Sequence, residues 1–199
     1  MGTGYDYPED FEECIRFHRH SCPGLAIGYV ASKRGAEALN VGPSEDEEVV
    51  TIVENDSCAV DAVQVILGCT FGKGNLIFRD WGKQVFTFMD RSAGRAVRVS
   101  FTGEMPYREE RHQLREKIRT GQADKEELAR WEALKEKATV EIISSPDRFF
   151  TVQEVPCDLP PKASIVETRP CEICGEPVMT DRLVERGRHR VCRGCAQRG

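Results

Sequence analysis

The motif Cys171-Glu-Ile-Cys174, followed after residues 175–191 by Cys192-Arg-Gly-Cys195, leaves the end of this chain few ways to fold. A segment of about thirty residues buries too little apolar surface to hold a structure by packing alone, so a bound metal must supply the missing free energy. Two thiolate pairs at this spacing match a structural zinc site, in which a tight knuckle offers two sulfurs and a second element completes the tetrahedron. Gly175 permits the knuckle turn, and residues 178–190 are expected to return the chain as a short hairpin. Four sulfurs leave no coordination position for a substrate, so Cys171, Cys174, Cys192 and Cys195 are read as ligands of a structural Zn2+. His189 is read as a surface histidine, because four thiols already suffice.

The chain has nine cysteines, an odd number that fits metal ligation better than a disulfide framework when no secretory leader is present. The opening residues show no basic flank followed by an apolar core, and no run approaches the roughly 18 apolar residues of a membrane span. A cytoplasmic protein without a membrane partner is expected. The formal charge of −5 argues against a general polyanion binder. Residues 169–199 do carry seven arginines, but four acids and the roughly −2 of a metal tetrathiolate offset most of them, so nucleic acid is not the expected partner.

Upstream of the module the periodicity alternates between helical and strand-like. Residues 8–18 place Phe11, Cys14, Ile15 and His18 at helical spacing, and a second helix is expected from Leu25 to Leu39, after Pro23 and Gly24 break the run. A β-branched run at 48–55 reads as a buried strand, and the apolar segment from Cys58 to Gly68 as a buried helix. Strands follow at 76–79, 84–89 and 96–101, the last two joined as a hairpin. Residues 106–145 mix charges of both signs with Leu114, Ile118, Leu128, Trp131 and Leu134, the pattern of two amphipathic helices. A further strand is expected at 148–155. The expected organisation is an α+β core over 1–156 with packed helices and a mostly antiparallel sheet, a Pro-rich linker over 157–169, and the zinc module over 170–199.

Three stretches of the core carry chemistry. In "FHRHSCPG", His18, His20 and Cys22 alternate, so an extended backbone would turn all three to one side. In "ENDSCAVDAVQ", Cys58 stands where a helix begins, and Asp61, three residues on, is a carboxylate in an otherwise apolar segment, costly unless paired or used. In "GCTFGKGNLIFRDWGKQ", glycines surround Cys69, Thr70, Lys73, Asn75 and Asp80, a composition suited to lining a pocket. Its Gly-Lys fragment lacks the spacer and the following Ser or Thr of a phosphate loop, which excludes that reading.

These stretches, together with the terminal cysteine module, resemble the FmdE family of formylmethanofuran dehydrogenase subunits over most of the chain. The resemblance implies an α+β core with a treble-clef zinc finger, commonly in a homodimer. The family's name comes from association with a molybdenum or tungsten formylmethanofuran dehydrogenase, so such an enzyme complex becomes a candidate partner. The family pocket maps onto His20, Cys22, Cys58, Asp61, Cys69, Lys73 and Asn75, with His18, Thr70 and Asp80 alongside. In this reading His20, Cys22 and Cys58 bind a second metal, Zn2+ or another divalent transition metal, with a position left open. Asp61, Lys73 and Asn75 are then the candidates for acid–base and substrate-orienting roles. Two other functions stay open at this point: a non-catalytic zinc-finger interaction protein, and a thiol-redox protein using Cys22, Cys58 and Cys69.

Overall fold

The computed structural model describes residues 5–198. In chain order the first part holds α1 (Glu9–His18), α2 (Pro23–Leu39), β1 (Val49–Val53), α3 (Ala59–Leu67), β2 (Leu76–Phe78), β3 (Val85–Asp90) and β4 (Arg95–Phe101). It continues with α4 (Arg108–Arg119), α5 (Lys125–Ser144), the single turn α6 (Pro146–Phe149) and β5 (Phe150–Val155). The strands form one sheet in the order β2-β1-β3-β4-β5, with β2 parallel to β1 and every other pair antiparallel. The architecture is therefore α+β with a mostly antiparallel sheet.

α2 is the hub. It packs on α3 and α5 and lies across β3 and β4, which is why nearly its whole length is buried. Two glycines let it approach so closely: a Cβ at Gly35 would stand 2.2 Å from the Phe88 ring, and one at Gly28 would stand 1.9 Å from the Ala59 carbonyl oxygen. The second contact presses the N-terminal half of α2 onto the first turn of α3. α1 starts with Glu9, Asp10 and Glu12 and ends with Arg16 and His18, charges that complement its dipole, and it buries Phe11 and Cys14. The connection between α4 and α5 is closed by a capping box, in which Asp124 accepts from the Glu127 backbone and the Glu127 side chain reaches back.

The face of the sheet away from these helices buries Val50, Ile52, Met89 and Ala96, with Cys157 and Leu159 packed against them. Arg91 donates to the carbonyls of Glu47 and Pro160, fastening the same segment. Residues 157–161, within the Pro-rich stretch expected to be linker, thus belong to the core, and the chain divides after Pro161. Proline content marks an extended backbone, and an extended backbone covers a sheet face as readily as it spans a gap.

The second unit holds β6 (Thr168–Pro170), β7 (Pro177–Met179), β8 (Leu183–Arg186), β9 (His189–Cys192) and α7 (Arg193–Gln197). β6 pairs with β7 around the first cysteine pair, and the β8–β9 hairpin leads into α7 with the second. Its apolar cluster is small, built on Cys171, Val191 and Cys195, which is why the sulfurs must do what a core would.

Candidate metal centres

The core centre forms where α1 ends and α2 and α3 begin. Arg19 closes α1 in the left-handed region at φ 74°, its N–H bonded to Ile15 O at 2.7 Å. This reversal sets His18 and His20 against each other, ring centroids 4.3 Å apart. Cys22 is extended and serves as the N-cap of α2, its Sγ accepting from the Leu25 N–H at 3.4 Å, with Pro23 in the first helical position. Pro23 and Gly24 therefore open the second helix rather than break the chain before it. The ligands converge through a helix end and a left-handed residue, not through the extended alternation the sequence suggested.

Cys58 holds the equivalent N-cap position of α3. Because Gly28 brings the two helices into contact at Ala59, their N-termini lie side by side, and a Cβ at Gly24 would be 3.2 Å from Cys58 Cβ and 3.8 Å from both sulfurs. His18, His20, Cys22 and Cys58 consequently offer four donor atoms, all within 4.8 Å of one another. Metal–ligand lengths of about 2.3 Å to sulfur and 2.0–2.1 Å to nitrogen imply tetrahedral edges of roughly 3.3–3.8 Å. The separation of 4.0 Å between Cys22 Sγ and His18 Nε2 is already close to such an edge.

The surroundings suit the ligand forms. Asp61, one turn into α3, lies 2.7 Å from His18 Nδ1, which fixes the proton there and leaves the Nε2 lone pair facing the sulfur. Gln64 in turn donates to the other Asp61 oxygen. Partial desolvation lowers the His20 pKa although the residue is exposed, with the charges of His18 and Lys135 acting the same way, a shift that favours the neutral imidazole a metal requires. Burial also pushes the Cys22 thiol up to about 11; the Leu25 N–H opposes this, and neighbouring Cys58 adds to it. A bound cation would reverse that preference.

The remaining predicted pocket residues make their hydrogen bonds elsewhere. Cys69 Sγ donates to Val49 O, and fully buried Asn75 donates to Asp46 O and Val49 O while accepting from the Thr70 N–H. Thr70 Oγ1 accepts from the Lys73 N–H, and Lys73 Nζ donates to Ser44 O at 2.8 Å. These side chains stitch the 69–75 loop to the 44–49 segment, and the bonds run to backbone carbonyls rather than to the His/Cys cluster. Asp80 is exposed in the connection after β2, beside Trp81, whose ring carries Arg79 and Lys83.

Sequence reasoning missed what the α4–α5 hairpin brings to the centre. The Arg111 guanidinium sits 5.6 Å and the Lys135 ammonium 5.9 Å from the centroid of the Trp131 ring. Arg111 interacts electrostatically with Cys22, and Lys135 with His20. Tyr7 donates to Glu136 at 2.9 Å and meets Ser21 at 3.2 Å, which ties α5 to the loop carrying His20. In a run of charged residues no local signal separates Arg111 from its neighbours.

The terminal centre gathers Cys171, Cys174, Cys192 and Cys195, again within 4.8 Å of one another. The knuckle is closed by Gly175 N–H to Cys171 O and Cys171 N–H to Glu176 O, both 2.8 Å, with Gly175 at φ 75° where a side chain would be strained. The N–H groups of Cys174 and Cys192 pull the Cys171 thiol down to about 6. Cys195 N–H donates to Cys192 Sγ at 3.2 Å. His189 pairs with Glu172 at 3.0 Å and stays exposed, outside the sulfur cluster.

A "Probable S-adenosyl-L-methionine-binding protein" of Archaeoglobus fulgidus is 32% identical over 188 residues, which are 90% of this chain and 50% of that protein. The chain thus spans about half the length of the curated relative it matches. A solved structure, a tungsten formylmethanofuran dehydrogenase FmdE-like protein from Syntrophus aciditrophicus, shares the fold with a TM-score of 0.64 at 24% identity, covering 97% of this chain and 93% of that one. The family model described as "FmdE, Molybdenum formylmethanofuran dehydrogenase operon" matches residues 17–151, from the start of the histidine motif through β5's second residue, and the chain belongs to that family.

Proposed function

We propose that this chain is a two-centre metal protein serving a formylmethanofuran dehydrogenase-type or other molybdenum or tungsten enzyme system. Cys171, Cys174, Cys192 and Cys195 hold a structural Zn2+. His18, His20, Cys22 and Cys58 hold a second divalent transition metal, zinc among the candidates. The observation that carries this reading is the convergence of four soft or borderline donors from three separate elements, with one histidine oriented by Asp61. When bound, the metal supplies Lewis-acid chemistry. The chain fixes the His18 tautomer through Asp61, holds the Cys22 sulfur on a backbone N–H, and leaves the His20 side exposed.

The partner assignment rests on the family's operon context, and the homodimer on the family resemblance. All nine cysteines are unpaired, which fits a reducing cytoplasm, and no helix among the described residues is long and apolar enough to cross a membrane. S-adenosylmethionine is not carried over from the archaeal relative, half of which has no counterpart here. The neighbouring sulfurs of Cys22 and Cys58 also suit thiol chemistry, but a redox pair has no use for a carboxylate-oriented histidine at its edge.

Elemental analysis of the full chain tests the proposal. About two metal ions per chain are expected in the wild type, and about one in Cys22→Ser, in Cys58→Ser and in the double variant Cys171→Ser/Cys174→Ser. Wild-type metal content in both core variants would refute the core centre.

A further inference from the structure

We infer that the mouth of the core metal centre is a binding site for a small ligand carrying an anionic oxygen, a carboxylate or a phosphate, received by Arg111 with Lys135 beside it. The inference rests on the core-metal reading above and goes beyond it by naming the ligand's chemistry and the residue that reads it. Arg111 is half-buried on α4, and its Nε is buried without a hydrogen-bond partner. Among the described residues its guanidinium forms no ion pair; it stacks on the Trp131 face and interacts electrostatically with Cys22 and, one helical turn on, with the like charge of Arg115. Burial and Arg115 both disfavour this charge, and Cys22 is the group that favours it.

Cys22 supplies no lasting counter-charge: without metal, burial keeps it a thiol, and with metal its thiolate charge is cancelled. A divalent ion cancels the two thiolates of Cys22 and Cys58, the two imidazoles are neutral, and Asp61 is committed to His18. Lys135 keeps Glu132 as a partner at 2.7 Å, whereas Arg111 is left with no formal counter-charge. A partly desolvated guanidinium in that position is costly unless an anion meets it. Its N–H edge matches two oxygens of a carboxylate or phosphate, and stacking on Trp131 holds the group in place before a ligand arrives. The exposed donor of the metal cluster, His20, interacts with Lys135, and Lys135 shares the Trp131 ring with Arg111.

The competing account is that Arg111 serves only to hold Cys22 as thiolate, and the two separate in one experiment. Full-length protein is loaded with Co2+, and the core centre's absorption bands are taken as the difference between wild type and Cys22→Ser, because the terminal sulfurs also bind Co2+. Acetate and inorganic phosphate are then titrated in as probes. At least one of them is expected to shift the core bands, with affinity at least about tenfold lower in Arg111→Gln and intermediate in Arg111→Lys, while Co2+ affinity is unchanged. The probe that responds identifies the oxygen chemistry. No band shift in the wild type, an equal shift in Arg111→Gln, or weakened Co2+ binding in Arg111→Gln with anion affinity intact would each overturn the inference. If Cys22→Ser leaves the cobalt spectrum unaltered, it is the core-metal reading that has failed. Intact cobalt bands from the terminal centre and an unchanged circular dichroism spectrum establish that the Arg111 variants are folded.

Discussion

Gly28→Ala tests the contact on which the core centre depends. The added Cβ would stand 1.9 Å from the Ala59 carbonyl oxygen and 2.6 Å from that residue's C and Cα. All three atoms are backbone of the first residue of α3, so no side chain can step aside. An ordinary C···O contact is about 3.3 Å or longer, which means α2 and α3 must separate by roughly 1.4 Å along this direction. Tightly packed interiors feel a single methylene, and overpacking typically costs about 1–3 kcal/mol, so a clash with immobile backbone belongs at about 3 kcal/mol. For a chain of this size that corresponds to a fall in Tm of roughly 6–12 °C.

The same displacement carries Cys22 away from Cys58. Metal sites tolerate about 0.5 Å of misplacement, so the core affinity falls with the stability. Both tryptophans, Trp81 and Trp131, lie in the first unit, and their fluorescence in urea reports its unfolding in the presence of chelator. Gly42→Ala, where an added Cβ meets nothing within 4 Å, is the control and stays within about 0.5 kcal/mol of wild type. If Gly28→Ala unfolds within about 1 kcal/mol of wild type and binds metal unchanged, the close approach of the two helices is not what places the sulfurs.

Further outcomes are expected. Asp61→Asn weakens metal binding at the core centre about 10–100-fold in competition with a chromophoric chelator; unchanged affinity would reduce Asp61 to packing. Lys73→Met keeps two metal ions per chain but loses about 1 kcal/mol of core stability with its bonds to the Ser44 and Glu45 carbonyls, and loss of metal would return Lys73 to the centre. Because burial holds the Cys22 thiol up to about 11, ligation must expel its proton, so apparent affinity rises about tenfold per pH unit for each thiol displaced, and calorimetry in buffers of different ionisation enthalpy counts the protons. The same raised pKa favours the metal-free fold below the ordinary thiol value and withdraws that contribution as pH climbs through about 11. His20→Ala retains more core metal than His18→Ala in elemental analysis, and the reverse order would contradict the ranking argued below.

What the sequence disclosed depended on how local the signal was. The terminal sulfurs were legible because two cysteine pairs and one glycine define the knuckle within a few residues. The helices and strands of the core were legible from apolar periodicity, and Asp61 from the cost of a carboxylate in an apolar helix. The start of α2 was not: Pro23 and Gly24 read as a break, although proline favours a first helical turn and a cysteine sulfur can cap it as a serine oxygen does. Lys73 and Asn75 illustrate a further limit, since polar groups among glycines look the same in sequence whether they meet a ligand or, as here, the carbonyls of a neighbouring loop. Arg111 was invisible because its distinction arises only when α4 packs on α5 and brings its guanidinium to the Trp131 ring.

The two centres differ in charge, and this gives them different work. A divalent ion on four thiolates carries about −2, a poor electrophile in a site with no vacant position. On two thiolates and two imidazoles the same ion would be neutral overall, and Arg111 and Lys135 interact with Cys22 and His20 of that cluster, conditions under which it would attract an anionic ligand. Four protein donors would still fill its tetrahedron, so chemistry requires one of them to yield. His18 is anchored by Asp61 at 2.7 Å, Cys22 by the Leu25 N–H at the start of α2, and Cys58 is pressed under Gly24. His20 is the exposed member, and it follows the left-handed Arg19 in the short connection between helices rather than lying within one. The ligand that would leave at least cost is therefore His20, which interacts with Lys135, the residue that shares the Trp131 ring with Arg111.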